Sequence, residues 1–199
     1  MLSAIDLACT RGERSLFSGI DFEVKAGEWL HVRGANGCGK TSLLRLLAGL
    51  SKPAHGEIRW NGNPANDDEY RADLLFLGHH AAVKEELTAL ENLQLASSLD
   101  GEELPEDEAV AALRRFGLQG REDLPVRFLS AGQKRRVLLA RVMTRKARLW
   151  VLDEPFTALD TRAVQLLGSL VGEHLAGGGM AVVTSHQAIP IPGGKGLDL

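Results

Sequence analysis

The chain reads Gly34-Ala35-Asn36-Gly37-Cys38-Gly39-Lys40-Thr41-Ser42 between a strand-like segment, WLHVR, and a helix-like one, LLRLLAG. The stretch up to Thr41 matches the pattern G-x-x-x-x-G-K-[ST]. In such a loop, glycines let backbone N–H groups surround phosphate oxygens at the N-terminus of a helix. The Lys40 ammonium would reach the β and γ phosphates, and the Thr41 hydroxyl would bind Mg²⁺. The stretch therefore predicts a nucleotide-binding loop, with all of these residues close to the phosphates.

The segments around this loop favour an α/β fold. Short apolar runs such as IDFEV, WLHVR, LLFL and LWVL alternate with longer amphipathic stretches, which is typical of a largely parallel sheet. The turn signals KAGE at 25–28 and Asn61-Gly62 predict an added antiparallel β layer near the N-terminus. From about Leu87 to Met143 helical patterns dominate, whereas IPIPGGKGLDL at 189–199 predicts irregular structure.

Composition excludes several classes of protein. The 199 residues carry 23 Lys and Arg against 26 Asp and Glu, so the basic excess of a nucleic-acid binder is missing and no nucleic-acid partner is expected. The two cysteines, Cys9 and Cys38, form no C-x-x-C pair, which argues against a disulfide framework or a zinc site. The sequence shows no secretory signal and no membrane-spanning run, so we expect a cytoplasmic chain.

A pair of acidic residues follows a buried strand. The apolar run Leu149-Trp-Val-Leu152 ends at Asp153-Glu154, where ligands bind in open α/β sheets. Asp153 would hold Mg²⁺, and Glu154 would polarise a water molecule. A surface acidic pair is the alternative, and the phosphate loop upstream argues against it.

Three further segments resemble motifs of the ABC transporter ATPases. LSAGQKRR, 129–136, resembles the signature LSGGQ, with an alanine at its first variable glycine; Ala158-Leu159-Asp160 resembles the D-loop; Thr184-Ser185-His186 resembles the switch-histidine segment. The resemblance implies a P-loop NTPase (RecA-like) ABC cassette that binds ATP and Mg²⁺. It also implies a single cassette domain over 1–199, with a nucleotide-binding core at about 1–78 and 144–199 and a helical signature subdomain at about 79–143.

The resemblance assigns roles to individual residues. Glu154, His186 and Lys40 become the catalytic residues, while Thr41, Asp153 and His79 become the metal-site residues. The resemblance also implies contacts with a nucleotide bound to the opposite subunit, made by Ser130, Gly132 and Gln133.

Two positions depart from the family pattern. His79 stands where the family often has a glutamine; a histidine can also hydrogen-bond a metal-bound water or a partner protein. Arg11 stands near the position of the aromatic residue that commonly stacks on adenine, and a guanidinium plane can stack on a base.

The sequences of three segments resemble one subfamily of these ATPases in particular. LGHHAAVKEELTALENL, LSAGQKRRVLLARV and RGERSLFSGIDF resemble the ATP-binding subunits of cytochrome c maturation, the CcmA family. This implies a dimer with a second cassette, an integral membrane permease partner and a peripheral position at the cytoplasmic face of the bacterial inner membrane. ATP hydrolysis would then drive haem export or the release of a haem-loaded chaperone.

Other functions remain open at this point. An ATPase of another small exporter would carry the same motifs. A soluble ABC ATPase acting on ribosomes or DNA would be expected to show tandem cassettes, a long coiled coil or a basic surface. A small-molecule kinase would leave the signature, the D-loop and the switch histidine unexplained.

Overall fold

The computed structural model describes residues 1–79, 82–186 and 189–199. Two compact units make up the chain. The first comprises Met1–His79, Ala147–Pro155 and Val171–Leu199, and the second comprises His80–Lys146 and Phe156–Leu170.

The strands and helices are numbered in chain order. The strands are β1 (Leu2–Arg11), β2 (Arg14–Val24), β3 (Trp29–Arg33), β4 (His55–Trp60), β5 (Asn63–Pro64), β6 (Leu74–Leu77), β7 (Leu149–Leu152), β8 (Met180–Thr184) and β9 (Lys195–Asp198). The helices are α1 (Lys40–Leu47), α2 (Asp68–Asp73), α3 (Ala89–Leu99), α4 (Glu106–Arg115), α5 (Ala131–Thr144) and α6 (Thr161–Ala176).

The first unit contains two sheets. An antiparallel sheet has the strand order β2-β1-β4-β5, which confirms the predicted N-terminal β layer. The predicted turn between β4 and β5 is present, and both of its central residues, Asn61 and Gly62, have positive φ as a tight hairpin requires. The second sheet is parallel, with the order β6-β7-β8-β3-β9. All residues of β7 and β8 are buried, as expected for central parallel strands.

The apolar face of α1 fixes the phosphate loop on the parallel sheet. Leu43, Leu44 and Leu47 are fully buried in one core cluster with Val151 of β7 and Val182 of β8. Burial of each leucine contributes roughly 1.5–3 kcal/mol relative to an exposed side chain. The loop between β3 and α1 is therefore anchored at both of its ends.

Strand β9 contradicts the prediction of irregular structure for the last part of 189–199. It pairs in parallel with β3, and its first residue, Lys195, forms an ion pair with Glu28 at 2.5 Å. Its side chains are mostly exposed, so the hydrophobic pattern that marks a strand is weak there. Main-chain hydrogen bonds to β3 supply the order instead, and they require no particular side chain.

The second unit is mainly helical, which confirms the helical prediction for about 87–143. Its helices α3 and α5 both begin with a capping box, formed by Thr88 with Glu91 and by Ser130 with Gln133. A single turn of 3₁₀ helix, Val126–Phe128, leads into α5. Among the described residues, no helix is long and apolar enough to cross a membrane.

Candidate nucleotide-binding site

The phosphate loop ends in a helix whose N-terminal N–H groups lack a side-chain cap. Within the described chain, α3 and α5 are capped by side-chain oxygens, but the N-cap residue of α1, Gly39, supplies no such bond. Gly39 has φ 116°, and a Cβ there would lie 2.9 Å from the Phe17 ring. A glycine is thus required, and the N-terminus of α1 presents N–H donors and a positive dipole end, which suit an anion.

Lys40 is held inside the loop. Its side chain is buried, and Nζ donates hydrogen bonds to the carbonyl oxygens of Gly34 at 2.8 Å and Ala35 at 3.2 Å. These neutral carbonyls orient the ammonium without cancelling its charge. The charge therefore adds to the positive end of α1.

Asp153 joins the phosphate loop to the parallel sheet. It is 2% exposed and follows β7 directly. Its Oδ2 accepts a hydrogen bond from the Thr41 hydroxyl at 2.8 Å, and its Oδ1 accepts one from the Thr184 hydroxyl at 2.7 Å. The two oxygens predicted to bind the metal, the Thr41 hydroxyl and the Asp153 carboxylate, are thus in direct contact.

Glu154 adopts a backbone conformation that non-glycine residues seldom use. Its φ is 49°, a left-handed conformation that costs about 1 to 3 kcal/mol. Its N–H donates to the Thr184 hydroxyl at 2.9 Å, and its Oε2 accepts from the His186 N–H at 3.3 Å. His186 Nε2 lies 3.4 Å from Oε1. The surrounding bonds thus fix the position of the carboxylate next to the histidine.

Thr184 is a member of this cluster that sequence reasoning gave no role. It is fully buried at the end of β8, and its hydroxyl both donates to Asp153 and accepts from the Glu154 N–H. The parallel pairing of β7 with β8 brings Asp153, Glu154 and Thr184 together at the carboxyl ends of these two strands. The available signal was the position of Thr184 directly after the apolar run AVV at 181–183 and just before Ser185 and His186.

A cleft of ≈ 460 Å³ adjoins the phosphate loop. Thr41 and Ser42 line it together with three cationic side chains, those of Arg11, Arg45 and Lys52. Cys9 also lines it, and burial raises the pKa of this thiol, outweighing a hydrogen bond with Ser42 that lowers it. The cleft is therefore positively charged, with a protonated thiol in its wall at neutral pH.

The signature residues lie in the second unit. Ser130 is the N-cap of α5: its hydroxyl accepts from the Gln133 N–H at 3.3 Å, while the Gln133 side-chain oxygen accepts from the Ser130 N–H at 2.9 Å. Gly132 follows within the first turn of α5.

His79, the third predicted metal-site residue, lies in an exposed bend two residues after β6, in the first unit. Within the described ranges, no three His, Cys, Asp or Glu side chains form a group that could hold a metal ion by themselves. A magnesium ion at Asp153 would therefore need oxygen ligands from Thr41 and from the nucleotide.

Residues 17–157 match the ABC transporter family. The chain belongs to this family. The cytochrome c biogenesis ATP-binding export protein CcmA of Dechloromonas aromatica is 56% identical over 201 residues, covering 100% of this chain and 98% of the relative. The predicted membership of the CcmA family is thereby confirmed.

Solved ABC structures share the fold. A putative ABC transporter ATP-binding protein of Pyrococcus furiosus superimposes with a TM-score of 0.85 at 25% identity, covering 100% of this chain and 96% of that one. A dimeric post-hydrolysis state of the cassette MJ0796 with ADP and Pi has a TM-score of 0.80 at 25% identity, covering 94% and 88%. The predicted fold class is confirmed, and the chain is an ATP-binding subunit of the ABC type.

Proposed function

We propose that this chain is the ATP-hydrolysing subunit of an ABC complex for c-type cytochrome biogenesis. The observation that carries the ATPase proposal is the connected cluster of Thr41, Asp153, Thr184, Glu154 and His186 in the first unit. The CcmA relative from Dechloromonas aromatica supports the pathway, because its likeness extends over the whole chain.

The phosphates of ATP bind along the loop from Gly34 to Ser42. The uncapped N–H groups of α1 and the Lys40 ammonium contact the β and γ phosphates. The base extends into the cationic cleft, where the Arg11 guanidinium stacks on it.

The oxygen atoms of Thr41 and Asp153 fit a magnesium ion. A hydroxyl and a carboxylate are hard donors, and they already lie 2.8 Å apart. Bound Mg²⁺ would neutralise charge on the phosphates. His79 would hydrogen-bond a water of that ion or the membrane partner.

Glu154 acts as the base for the attacking water. Its fixed backbone and its contact with His186 hold the carboxylate in one orientation, which favours in-line attack on the γ phosphate. His186 then stabilises charge that develops on the γ phosphate, and Lys40 does the same from within the loop.

Hydrolysis requires a second copy of the chain. The signature residues of one subunit, Ser130, Gly132 and Gln133, contact the γ phosphate held by the other, at the N-terminus of α5. The dimer of MJ0796 with ADP and Pi, a cassette of the same fold, supports this assembly. The dimer in turn drives an integral membrane permease of cytochrome c maturation from the cytoplasmic face of the bacterial inner membrane.

The test of the catalytic part is Glu154→Gln. The amide cannot accept the proton, so kcat should fall by about 10² to 10⁴-fold while the affinity for MgATP stays within about twofold of wild type. Glu173→Gln, which removes one exposed carboxylate of α6, is the matched control and should retain wild-type turnover. Wild-type turnover in Glu154→Gln would remove this residue from the role of base.

The proposed pathway is tested by identifying the membrane partner of the chain. Tagged Glu154→Gln chain, isolated with MgATP from detergent-solubilised native membranes, should co-purify with haem-handling membrane subunits identified by mass spectrometry. A permease of another transport system would leave the ATPase proposal intact and overturn the cytochrome one. Recovery of ribosomes, or of no membrane protein, would overturn the coupling to a membrane partner.

A further inference from the structure

An ion pair within the second unit joins the signature helix to the segment that precedes α6. Arg136 on α5 donates from Nη2 to Asp160 Oδ2 at 2.7 Å, and its Nη1 lies 3.4 Å from the carbonyl oxygen of Phe116. The Arg136 side chain is only 22% exposed. One guanidinium therefore bridges the end of α4 and the start of α6.

The other oxygen of Asp160 is also engaged. Oδ1 accepts the Ala163 N–H at 2.9 Å, so Asp160 caps the N-terminus of α6. The Ala163 N–H, and then the Arg136 charge, lower the pKa of Asp160, which stays ionised at neutral pH. Both oxygens are thus fixed, one by a helix and one by Arg136.

The backbone of the same segment also lies close to the first turn of α5. Ala158 has φ 61°, and a Cβ placed on Gly132 would lie 3.2 Å from the Ala158 carbonyl oxygen. Gly132 and Arg136 are four residues apart, so they lie on one face of α5. This face of the signature helix therefore lies close to Ala158 at Gly132 and pairs with Asp160 through Arg136.

We propose that Arg136 is a positioning residue that locks the segment 158–160 to the signature segment, so that both meet the opposite subunit as one rigid surface. The inference rests on the proposed function, because it assumes that the signature faces a second copy of the chain. An isolated surface ion pair contributes little. Here the partner oxygens are fixed and the arginine is mostly buried, so less side-chain entropy is lost on pairing.

The test uses two variants that break the ion pair in different ways. Arg136→Gln removes the guanidinium. Asp160→Asn removes the charge but keeps the helix cap, because asparagine caps as well as aspartate. The matched control is Arg141→Gln. Arg141 also lies on α5, its side chain is 23% exposed, and the substitution breaks its ion pair with Asp100 at the end of α3. Each variant is combined with Glu154→Gln so that the ATP-bound dimer persists.

The readouts are MgATP affinity and the ATP-dependent monomer–dimer equilibrium measured by analytical ultracentrifugation. We expect each variant that breaks the Arg136–Asp160 pair to weaken the dimer about tenfold. The double variant should weaken it no further than Arg136→Gln alone, since the shared ion pair can be broken only once. MgATP affinity should stay unchanged, because the phosphate loop is intact. Arg136→Lys, which keeps the charge, should restore part of the loss.

The outcomes separate this inference from the proposed function. Dimers of Arg136→Gln and Asp160→Asn as tight as those of Arg141→Gln would overturn the inference, as would losses that add in the double variant. If Arg136→Gln fails to fold, Asp160→Asn alone tests the inference. The Asp160 side chain is exposed, and asparagine at this position retains the cap of α6, so this variant should fold. A chain with Arg136 and Asp160 intact that binds MgATP without dimerising would overturn the assembly in the proposed function instead.

Discussion

At the level of single residues, the Thr184 hydroxyl holds the Asp153 carboxylate and the Glu154 backbone in place. Thr184→Val keeps the shape but removes one bond to Asp153 and one to the Glu154 N–H, both in a buried setting. We expect the free energy of unfolding to fall by about 3 kcal/mol, because two buried polar groups lose a partner. Urea denaturation measures this, and kcat should fall as well because Asp153 loses its orientation.

Thr184→Ser is the control for this prediction. The serine keeps the hydroxyl and loses only a methyl group, so it should keep most of the stability and most of the turnover. Equal stability of Thr184→Val and Thr184→Ser would show that the hydroxyl does not hold the cluster.

The role of Thr184 could not be predicted from the sequence, whereas the roles of Asp153 and Glu154 could. Asp153 and Glu154 could be predicted because the two acids directly follow a buried apolar run in a chain that carries a phosphate loop upstream. A threonine at the end of a strand is ordinary. Its role depends on the alignment of β7 with β8, which pairs Leu152 with Val183, and that register is a property of the folded sheet.

At the level of secondary-structure elements, Asn92 ties the loop at 84–88 to α3. Its Oδ1 accepts from the Lys84 N–H at 2.7 Å, and its Nδ2 donates to the carbonyl oxygens of Lys84 at 3.0 Å and Thr88 at 2.8 Å. Asn92→Ala should lower the free energy of unfolding by about 2 kcal/mol, since the Lys84 N–H and carbonyl oxygen lose their bonds to the Asn92 side chain. Amide hydrogen exchange should accelerate mainly at residues 84–88.

Gln94→Ala is the control for Asn92→Ala. It shortens a neighbouring side chain of α3 without touching the bonds to Lys84 and Thr88, so exchange in the loop should stay at the wild-type rate. Equal acceleration in both variants would mean that the loop responds to the helix as a whole rather than to the Asn92 amide.

The elements differ in how far the sequence predicts them. α3 and α5 follow from their helical pattern, and β7 and β8 from continuous apolar runs. β9 does not, because KGLD contains one apolar residue and follows two prolines and two glycines. Its order comes from the free edge of β3, whose other edge pairs with β8. Pairing with an adjacent strand can therefore order a segment as a strand even where its own hydrophobic pattern does not predict one.

At the level of the whole molecule, the fold and the family follow from the order of the motifs along the chain. The division into one nucleotide-binding core and one signature subdomain stays a prediction, as do the roles of the individual site residues. The membrane partner stays a proposal for a physical reason: the contacts that select it are made with side chains of another protein. The net charge of the chain indicates only which partner not to expect: 23 basic and 26 acidic residues nearly balance, which argues against a nucleic-acid partner.

Stability at alkaline pH should depend on Tyr70, the single tyrosine of the chain. Its hydroxyl is buried and donates to the Leu47 carbonyl oxygen at 2.5 Å, and burial raises the pKa of Tyr70 far above its ordinary value of 10.0. The unfolded chain thus ionises first as pH rises. The contribution of this group is full below pH 10.0 and is lost above it. Phenolate absorbance should therefore appear only together with loss of the native circular dichroism.

Tyr70→Phe separates this effect from general alkaline unfolding. The variant should be less stable at neutral pH by about 1 kcal/mol, the usual value of one hydrogen bond, because the Leu47 carbonyl loses its donor. Between about pH 9 and about pH 11 its urea midpoint should fall less than that of the wild type, since it has no phenol to ionise. Parallel falls in the two proteins would show that other groups, such as lysines in ion pairs, control alkaline unfolding.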